Sequence, residues 1–496
     1  MGKPSTLLLA SVVIVGIGPA CTDPAPTPAN APFSDGTRLK AVRYEIEGAP
    51  PYFLRWYDSE LGVACSFLNE NFPDRPVCFP SEPWDSRFAS SANLFADSAC
   101  SATVVGSYAP GESRYVIRGS EAVPGSTCGW TPYRLFHVGD VVPAGAPLYR
   151  LDDSNGACLP ATDPNAHSEL RVLGPEIPID SLVSGTVRHD AAPGRIVPVT
   201  IAGSDGSVQG VIADPSLIAW DSERQEMVTT STPLTPNSRW FPTSSNYAGY
   251  FANDACSVPT AVGTKCGASA KHASISDTDG CGRMAPTAFF ELGAPLAEGT
   301  PFYYGNASSC TLADAGPARY TVFSLGAPIP LTSFAPALEV RAGTAQLQVV
   351  QAGSPDGPAL AAIGLFDRVL GRPCGVSVAA ADDTVRCLPE TFDLGLTLYF
   401  ADDTCSVTLL PPPPPDSLCA PTPTFVSRDE PAAQAGQLRR HVYSVGDPYV
   451  GMVYVALSGV TGCLAIGSTP EVGEMFSLGP EIPAATFAPV NLVRPN

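Results

Sequence analysis

The sequence predicts an all-β protein of three tandem repeats, from two recurring phrases that keep one beat, a dense scatter of turn residues, and cysteines that return with the phrases. Leu173-Gly174-Pro175-Glu176-Ile177-Pro178 comes back as Leu325-Gly326-Ala327-Pro328-Ile329-Pro330 and as Leu478-Gly479-Pro480-Glu481-Ile482-Pro483, at steps of 152 and 153 residues. Phe95-Ala96-Asp97 leading to Cys100-Ser101 comes back as Phe251-Ala252-Asn253 to Cys256-Ser257 and Phe400-Ala401-Asp402 to Cys405-Ser406. Two motifs in phase define a repeated structural unit, and 496 residues accommodate three of them. The repeats are placed at 37–194, 195–342 and 343–496.

The N-terminus reads as an export signal over residues 1–20. Lys3 precedes the apolar run Leu7 to Ile17, which is too short to span a bilayer. Gly18-Pro19-Ala20-Cys21 resembles the lipobox of bacterial lipoproteins, with Gly18 where that family usually has Leu. The resemblance implies lipidation of Cys21. Residues 21–36 then form a tether, rich in proline from Thr22 to Pro32 and with little to bury. No later segment reaches spanning length, so the lipid is the expected membrane anchor. The implied location is the cell envelope, as an outer-membrane lipoprotein facing the periplasm or the cell surface.

Within a repeat, strands are short and rich in β-branched and aromatic residues. Examples are Arg114 to Arg118, Tyr320 to Phe323 and Met452 to Val455. Turn pairs such as Asp205-Gly206, Asp279-Gly280 and Asp356-Gly357 punctuate them, and 53 prolines with 45 glycines leave little room for long helices. Eight to ten strands per repeat suit two four-stranded sheets. Three repeats then give a six-bladed, propeller-like ring, closed by the final Leu478–Pro483 strand lying beside the first repeat. Three linked β-sandwiches are the alternative. Each repeat opens on an Arg: Arg38-Leu39, Arg195-Ile196 and, as the third match, Arg341. An aromatic–Asp pair follows at Tyr57-Asp58, Trp220-Asp221 and Phe366-Asp367.

Cysteine bookkeeping predicts disulfides. Cys65 and Cys78 match Cys374 and Cys387, and both positions are lost together in repeat 2, to Val228 and Trp240. Joint loss implies the bonds Cys65–Cys78 and Cys374–Cys387, each closing a short loop worth about 3 kcal/mol, with Val228 packed near Trp240 in their stead. For the rest, two schemes stand. One pairs Cys100–Cys158, Cys256–Cys310, Cys405–Cys463 and Cys266–Cys281, and leaves Cys128 and Cys419 over. The other pairs Cys256–Cys266, Cys281–Cys310, Cys128–Cys158 and Cys405–Cys419, and leaves Cys100 and Cys463 over. In a closed ring the leftover pair, Cys128–Cys419 or Cys100–Cys463, could bond across the seam.

Chemistry is sparse. A net charge of −20 without a basic stripe excludes nucleic acid as a partner. The five histidines, His137, His167, His189, His272 and His441, share no metal spacing, and HExxH, GxSxG and Walker-type loops do not occur. The recurring Asp97, Asn253 and Asp402 read as Asx-turns, because Asn serves such a turn as well as Asp but cannot act as an acid. Lys271 to Cys281 is read as a long polar loop in which Asp277, Asp279 and Gly280 resemble half a calcium site, a weak case for Ca²⁺. Asp152 to Gly156 is a second such turn. No cofactor is otherwise implied.

The Cys21 signal, the Cys-Phe-Pro or Cys-Leu-Pro element at Cys78 and Cys387, and the aromatic–Ala–Asp to Cys-Ser element together resemble the Cys-rich, tandem-repeat predicted lipoproteins of high-GC Gram-negative bacteria, a group of unknown function. The resemblance implies export and an all-β build and supplies no activity. The function expected is a non-catalytic module that binds protein or glycan at the envelope. A secreted carbohydrate or ester hydrolase on the same scaffold is the alternative.

Overall fold

The computed structural model describes residues 33–68, 75–80, 94–107, 114–119, 133–152, 155–161, 169–189, 192–210, 212–213, 216–230, 234, 237–243, 245–264, 270–278, 284–306, 308–313, 320–357, 359–360, 362–389, 392–393, 399–411, 424–431, 438–456, 463–469 and 474–495. The protein is all-β, and each repeat folds in two unlike halves.

The first half is an antiparallel meander. In repeat 1 its strands are Leu39–Glu45, Tyr52–Asp58, Val63–Leu68 and Val77–Pro80. In repeat 2 they are Ile196–Gly203, Ser216–Asp221, Glu226–Thr230 and Phe241–Pro242, and in repeat 3 Leu347–Gly353, Ala362–Asp367, Arg372–Ala379 and Val385–Pro389. Every meander gains an outer strand from the end of another repeat. Gly185–His189 pairs with Ile196–Gly203, and Leu338–Ala342 pairs with Leu347–Gly353. The third donor is the chain's last strand, Asn491–Val493, which pairs with its first, Leu39–Glu45. The registers agree: Asn491 faces Glu45 as Leu338 faces Gly353. Three sheets are therefore linked head to tail into a closed cycle, in which the last described strand lies beside the first.

The second half turns back on itself. In repeat 2, Ser245–Phe251 pairs with Pro259–Thr264, which pairs with Tyr320–Ile329, then Met284–Pro295, then His272–Thr278. His272–Thr278 returns to Ser245–Phe251 in parallel and completes a five-stranded barrel. Repeat 3 repeats the circuit, with the opening strand in two pieces, Phe392–Asp393 and Tyr399–Phe400. In repeat 1 the strands Val104–Ser107, Glu169–Ile177, Tyr133–Val141 and Tyr115–Gly119 stand in the same order. A narrow barrel needs small inward side chains, and Ala248, Ala261 and Ala273 are buried together inside that of repeat 2.

This arrangement corrects the six-bladed expectation. Only one half of each repeat is blade-like; in repeats 2 and 3 the parallel return strand curls the other half into a barrel, and neither a second blade nor a two-sheet sandwich forms among the described residues.

The recurring phrase now has a physical cause. Its glycines, Gly174, Gly326 and Gly479, lie where the two longest barrel strands bend past each other, and the register slips at that point in all three repeats. A Cβ on Gly174 would sit 2.7 Å from the carbonyl oxygen of His137, and one on Gly479 would sit 2.7 Å from that of Ser444. The closing prolines, Pro178, Pro330 and Pro483, each start a one-turn 3-10 helix, Ile179–Ser181, Leu331–Ser333 and Ala484–Thr486. Each helix delivers a buried residue, Leu182, Phe334 or Phe487, and then a strand-like segment that returns to its own meander. There the backbone N–H of Cys78, Trp240 and Cys387 donates to the carbonyls of Val183, Ala335 and Ala488.

Candidate functional site

The first repeated polar feature is a buried aspartate at the end of the second meander strand. Asp58, Asp221 and Asp367 have no solvent exposure, and each accepts backbone N–H bonds from residues two and three positions on. Arg38 grips Asp58 with two nitrogens, at 2.8 and 2.7 Å, and reaches the Ser181 carbonyl at 2.7 Å. Arg195 does the same to Asp221 and the Ser333 carbonyl. The third position is Gln346, not Arg341: Leu347 faces Asp367 in register, and the Gln346 amide donates to Asp367 at 2.7 Å and to the Thr486 carbonyl. Arg341 lies instead on the donated strand, with its guanidinium 3.6 Å from the Phe366 ring centre. These groups clamp the end of each repeat onto its start and hold no open coordination.

The recurring Asp97, Asn253 and Asp402 form Asx-type turns. Asp97 accepts N–H bonds from Ala99, Ser101 and Ala102 and the hydroxyl of Ser101. Asn253 accepts from Ser257 and Val258. Asp402 accepts from Thr404, Ser406 and Val407. The Ser101 and Ser406 bonds hold Asp97 below the usual carboxylate range and Asp402 at about 2, so neither serves as an acid near neutrality. The turn puts Cys100, Cys256 and Cys405 at φ of 51°, 47° and 59°.

Each of these cysteines is bonded across to a projecting hairpin, as Cys100–Cys158, Cys256–Cys310 and Cys405–Cys463. Cys65–Cys78 and Cys374–Cys387 are bonded within their meanders. In repeat 2 Val228 and Trp240, both fully buried, share one cluster where the disulfide would stand. The neighbour-pairing scheme is thereby overturned, since Cys256, Cys310, Cys158 and Cys405 have other partners. So is a Cys100–Cys463 seam bond. Cys21, Cys128, Cys266, Cys281 and Cys419 lie outside the described residues, as do His167 and Asp279.

Lys271 to Cys281 is not a loop throughout. His272–Thr278 is the parallel return strand of the barrel, and Asp277 is exposed near its end. Asp152 and Asn155 belong to the turn of the first hairpin, where Asn155 accepts the Ala157 N–H. Among the described residues no group of three or more His, Cys, Asp or Glu is placed to hold a metal. The described histidines are scattered. His189 stacks on Trp220 at 4.1 Å, His272 bonds Glu226 at 2.9 Å, and His441 sits between Glu481 at 2.8 Å and Glu430 at 3.3 Å.

What sequence reading missed is the surface of the hairpins. They are Leu148–Leu151 with Cys158–Ala161, Tyr303–Asn306 with Ser309–Leu312, and Met452–Ala456 with Cys463–Ser468. Leu151, Leu159, Tyr304, Leu312, Met452, Leu464 and Ile466 are all exposed on them, and Val258 and Val407 are exposed on the adjoining Asx turns. Most large exposed apolar side chains of the described surface thus fall at one equivalent place in each repeat, a concentration that marks interaction surface. The outer edges are blunted against strand pairing: Pro160 interrupts the first, and a register slip at Ile466 kinks the last. What the hairpins offer is their side-chain faces, held rigid by the disulfides at their roots. Alternation along the strands could have flagged them, but both faces of these strands are apolar enough to look buried.

Repeat 2 departs from its neighbours beside its hairpin. Where repeat 1 packs Leu94, Val104, Val142 and Leu148, repeat 2 packs Tyr250, Phe302 and Tyr320 around Val262 and Val322. Next to them lies a cleft of about 160 Å³.

Among the described residues five disulfides are formed, which fits an oxidising, extracellular or envelope location. No described helix is long and apolar enough to cross a membrane. No curated protein and no solved structure matches the chain. A family of unknown function, DUF7481, matches residues 13–487, nearly the whole length, and the chain belongs to that family.

Proposed function

We propose that the protein is a non-catalytic binding module of the cell envelope, carried on a lipid at Cys21 and a proline-rich tether, which engages a protein or glycan ligand through its three hairpins. The observation that carries this reading is the triplicate exposure of apolar side chains on disulfide-anchored hairpins. Keeping such groups in water costs solubility, and fixing them with a disulfide removes the ordering cost that a mobile hairpin would meet on binding. Three copies on one chain also give multivalent engagement of a repetitive surface. The net charge of −20 keeps copies apart and favours a neutral or cationic ligand.

A photo-crosslinking amino acid at Leu159, Leu312 or Leu464, introduced in the producing cell, tests the reading. Discrete adducts, identified by mass spectrometry and missing from a control at Val369, are expected; Val369 is 72% exposed but lies on a meander turn. Equal labelling at the control, or none at the hairpins, refutes it. The N-terminal peptide of the same purified protein should carry a diacylglyceryl or triacyl mass on Cys21; an unmodified Cys21 removes the anchor from the proposal.

A further inference from the structure

We infer that the cleft of the second repeat is a subsite for one pyranose ring of a neutral glycan, a deepening that rests on the binding-module reading. In a threefold repeated scaffold the other two copies show what the fold requires. At this place repeat 1 uses aliphatic side chains, and repeat 3 buries Leu409, Val453 and Met475 with Tyr399 and Tyr449 packed against them. Repeat 2 alone among them assembles a chain of rings: Tyr247 to Tyr250 at 5.4 Å, Tyr250 to Phe302 at 5.1 Å, and Phe302 to Tyr320 at 5.8 Å. Tyr247 at one end is 46% exposed, and Tyr320 at the other end is partly exposed. Packing does not demand the ring of Phe302, since Leu148 and Val453 fill its place in the other two repeats.

The cleft beside them mixes the two chemistries that a sugar ring presents. Leu296, Phe302, Tyr320 and Val322 supply an apolar and aromatic lining for the C–H face of a pyranose, while Thr300 adds a hydroxyl and Glu298 a negative charge to the same lining. The Thr300 hydroxyl donates to the Ala297 carbonyl at 2.6 Å, which leaves its lone pairs as acceptors. Gly299, at φ of 81° with open space where a Cβ would be, turns the backbone between Glu298 and Thr300. A volume near 160 Å³ suits one ring rather than a peptide or a lipid chain. A carboxylate on the rim of a protein of charge −20 selects against anionic sugars.

Isothermal titration of the mature, disulfide-bonded chain with cellotetraose and with chitotetraose, against an oligogalacturonide as the anionic control, tests the assignment. At least one neutral tetrasaccharide should bind with a Kd of millimolar or below, and the acidic one should not. Tyr320→Ala should weaken binding at least tenfold, while Tyr320→Phe, which keeps the ring, should stay within threefold. Since Tyr320→Ala could loosen the layer, Thr300→Val gives a second reading with the packing preserved and should weaken binding severalfold. Val369→Asp, on the exposed meander turn of repeat 3, should leave saccharide affinity unchanged. No heat with either neutral sugar at 5 mM, equal binding of the acidic one, or indifference to both Tyr320→Ala and Thr300→Val overturns the inference. If that happens while hairpin crosslinks persist, only the sugar assignment falls; if the crosslinks fail too, the binding reading falls with it.

Discussion

The three joints of the cycle are built to one plan but not with the same materials. At the joint of repeats 1 and 2, Asp205 in the first hairpin turn of repeat 2 reaches back to accept the N–H groups of Arg38 and Leu39, at 3.1 and 2.6 Å, and the Trp56 indole donates to Gln209. At the joint of repeats 2 and 3, Asp356 accepts the Arg195 N–H and the Trp240 indole donates to the Gly353 carbonyl. The joint of repeats 3 and 1 has Gly48 at the turn position of those aspartates, facing Thr344, and Gln346 in place of the arginine. Its donated strand makes three register pairs instead of five. What it keeps is apolar burial, with Tyr44 and Ile46 of repeat 1 against Leu347, Leu365, Ala488 and Val490 of repeat 3, as Ile196 and Trp240 of repeat 2 pack with Ala352 and Leu360 of repeat 3 at the neighbouring joint. Repeats joined by a continuous chain are held at a high effective concentration, where added directional polar bonds set their register. The seam must be found across nearly the whole chain, at an entropic cost of roughly 5 kcal/mol that grows only slowly with loop length. Non-directional burial tolerates imperfect approach and suits that step.

The sharpest way to break the comparison is to remove the seam's strand. A chain ending at Val490 loses the ladder of Asn491–Val493 on Leu39–Glu45. At 0.5–1.5 kcal/mol net for each backbone bond, the loss should be roughly 2–4 kcal/mol. Hydrogen exchange should show protection lost at Arg43 to Glu45 and kept at Ile196–Gly203 and Leu347–Gly353. Uniform loss in all three meanders would mean that the cycle is one cooperative unit and the seam no weaker than its neighbours.

A smaller effect is expected at a polar joint. Asp205→Ala leaves the Leu39 N–H, on a residue with no solvent exposure, without its acceptor, at about 1–3 kcal/mol in urea unfolding. Burial pushes the Asp205 carboxyl up, but the N–H groups of Leu39, Ser207 and Arg38 and the Ser207 hydroxyl outweigh it and hold the carboxyl below its ordinary value. A lowered folded value contributes stability above the unfolded one, near pH 4, and loses it as pH falls further. The gap between wild type and Asp205→Ala should therefore be full at neutrality and close in acid. A constant gap would assign the cost to packing.

The parts of this plan that were legible in sequence are those written three times. Leu-Gly and Ile-Pro recur because a bend and a 3-10 turn recur, and Val228 with Trp240 betrayed a disulfide by replacing it. The illegible parts are made by partners far apart in sequence. Arg341 looked like the third opening arginine because residue type was matched; Gln346 fills the place because an amide can still bridge Asp367 and Thr486. The barrel depends on a parallel pairing of Ser245–Phe251 with His272–Thr278, which alternation along either strand does not encode. The same pairing turned an expected polar loop into a strand. The hairpin faces and the cleft of repeat 2 emerge only when the copies are superposed in space, because an exposed leucine and a buried one read alike.

The smallest expected effect tests whether the seam is tied to the barrel that precedes it. Repeats 1 and 3 carry a polar rung on equivalent barrel strands: Arg134 with Glu176 in one, His441 with Glu481 in the other. Repeat 2 has Ala288 and Pro328 there and no rung. Arg134 stays charged throughout, whereas His441 titrates. Partial burial lowers His441, but its contacts with Glu481 and Glu430 outweigh that and raise it above its ordinary value; Tyr443 and Arg439 flank it. A histidine raised on folding contributes stability that is complete below its unfolded value, near 6.5, and is lost as pH climbs through the folded value. From Glu481 the chain runs directly through the Ala484–Thr486 turn to Ala488 and Val490 in the seam. Between pH 6 and 8 the amides of Arg43 to Glu45 should therefore lose more protection than those of Ile196–Gly203, and His441→Arg, which copies the rung of repeat 1, should flatten the difference. If the pH dependence of the seam survives that substitution, the rung and the seam are independent, and the apolar joint stands without help from its neighbour.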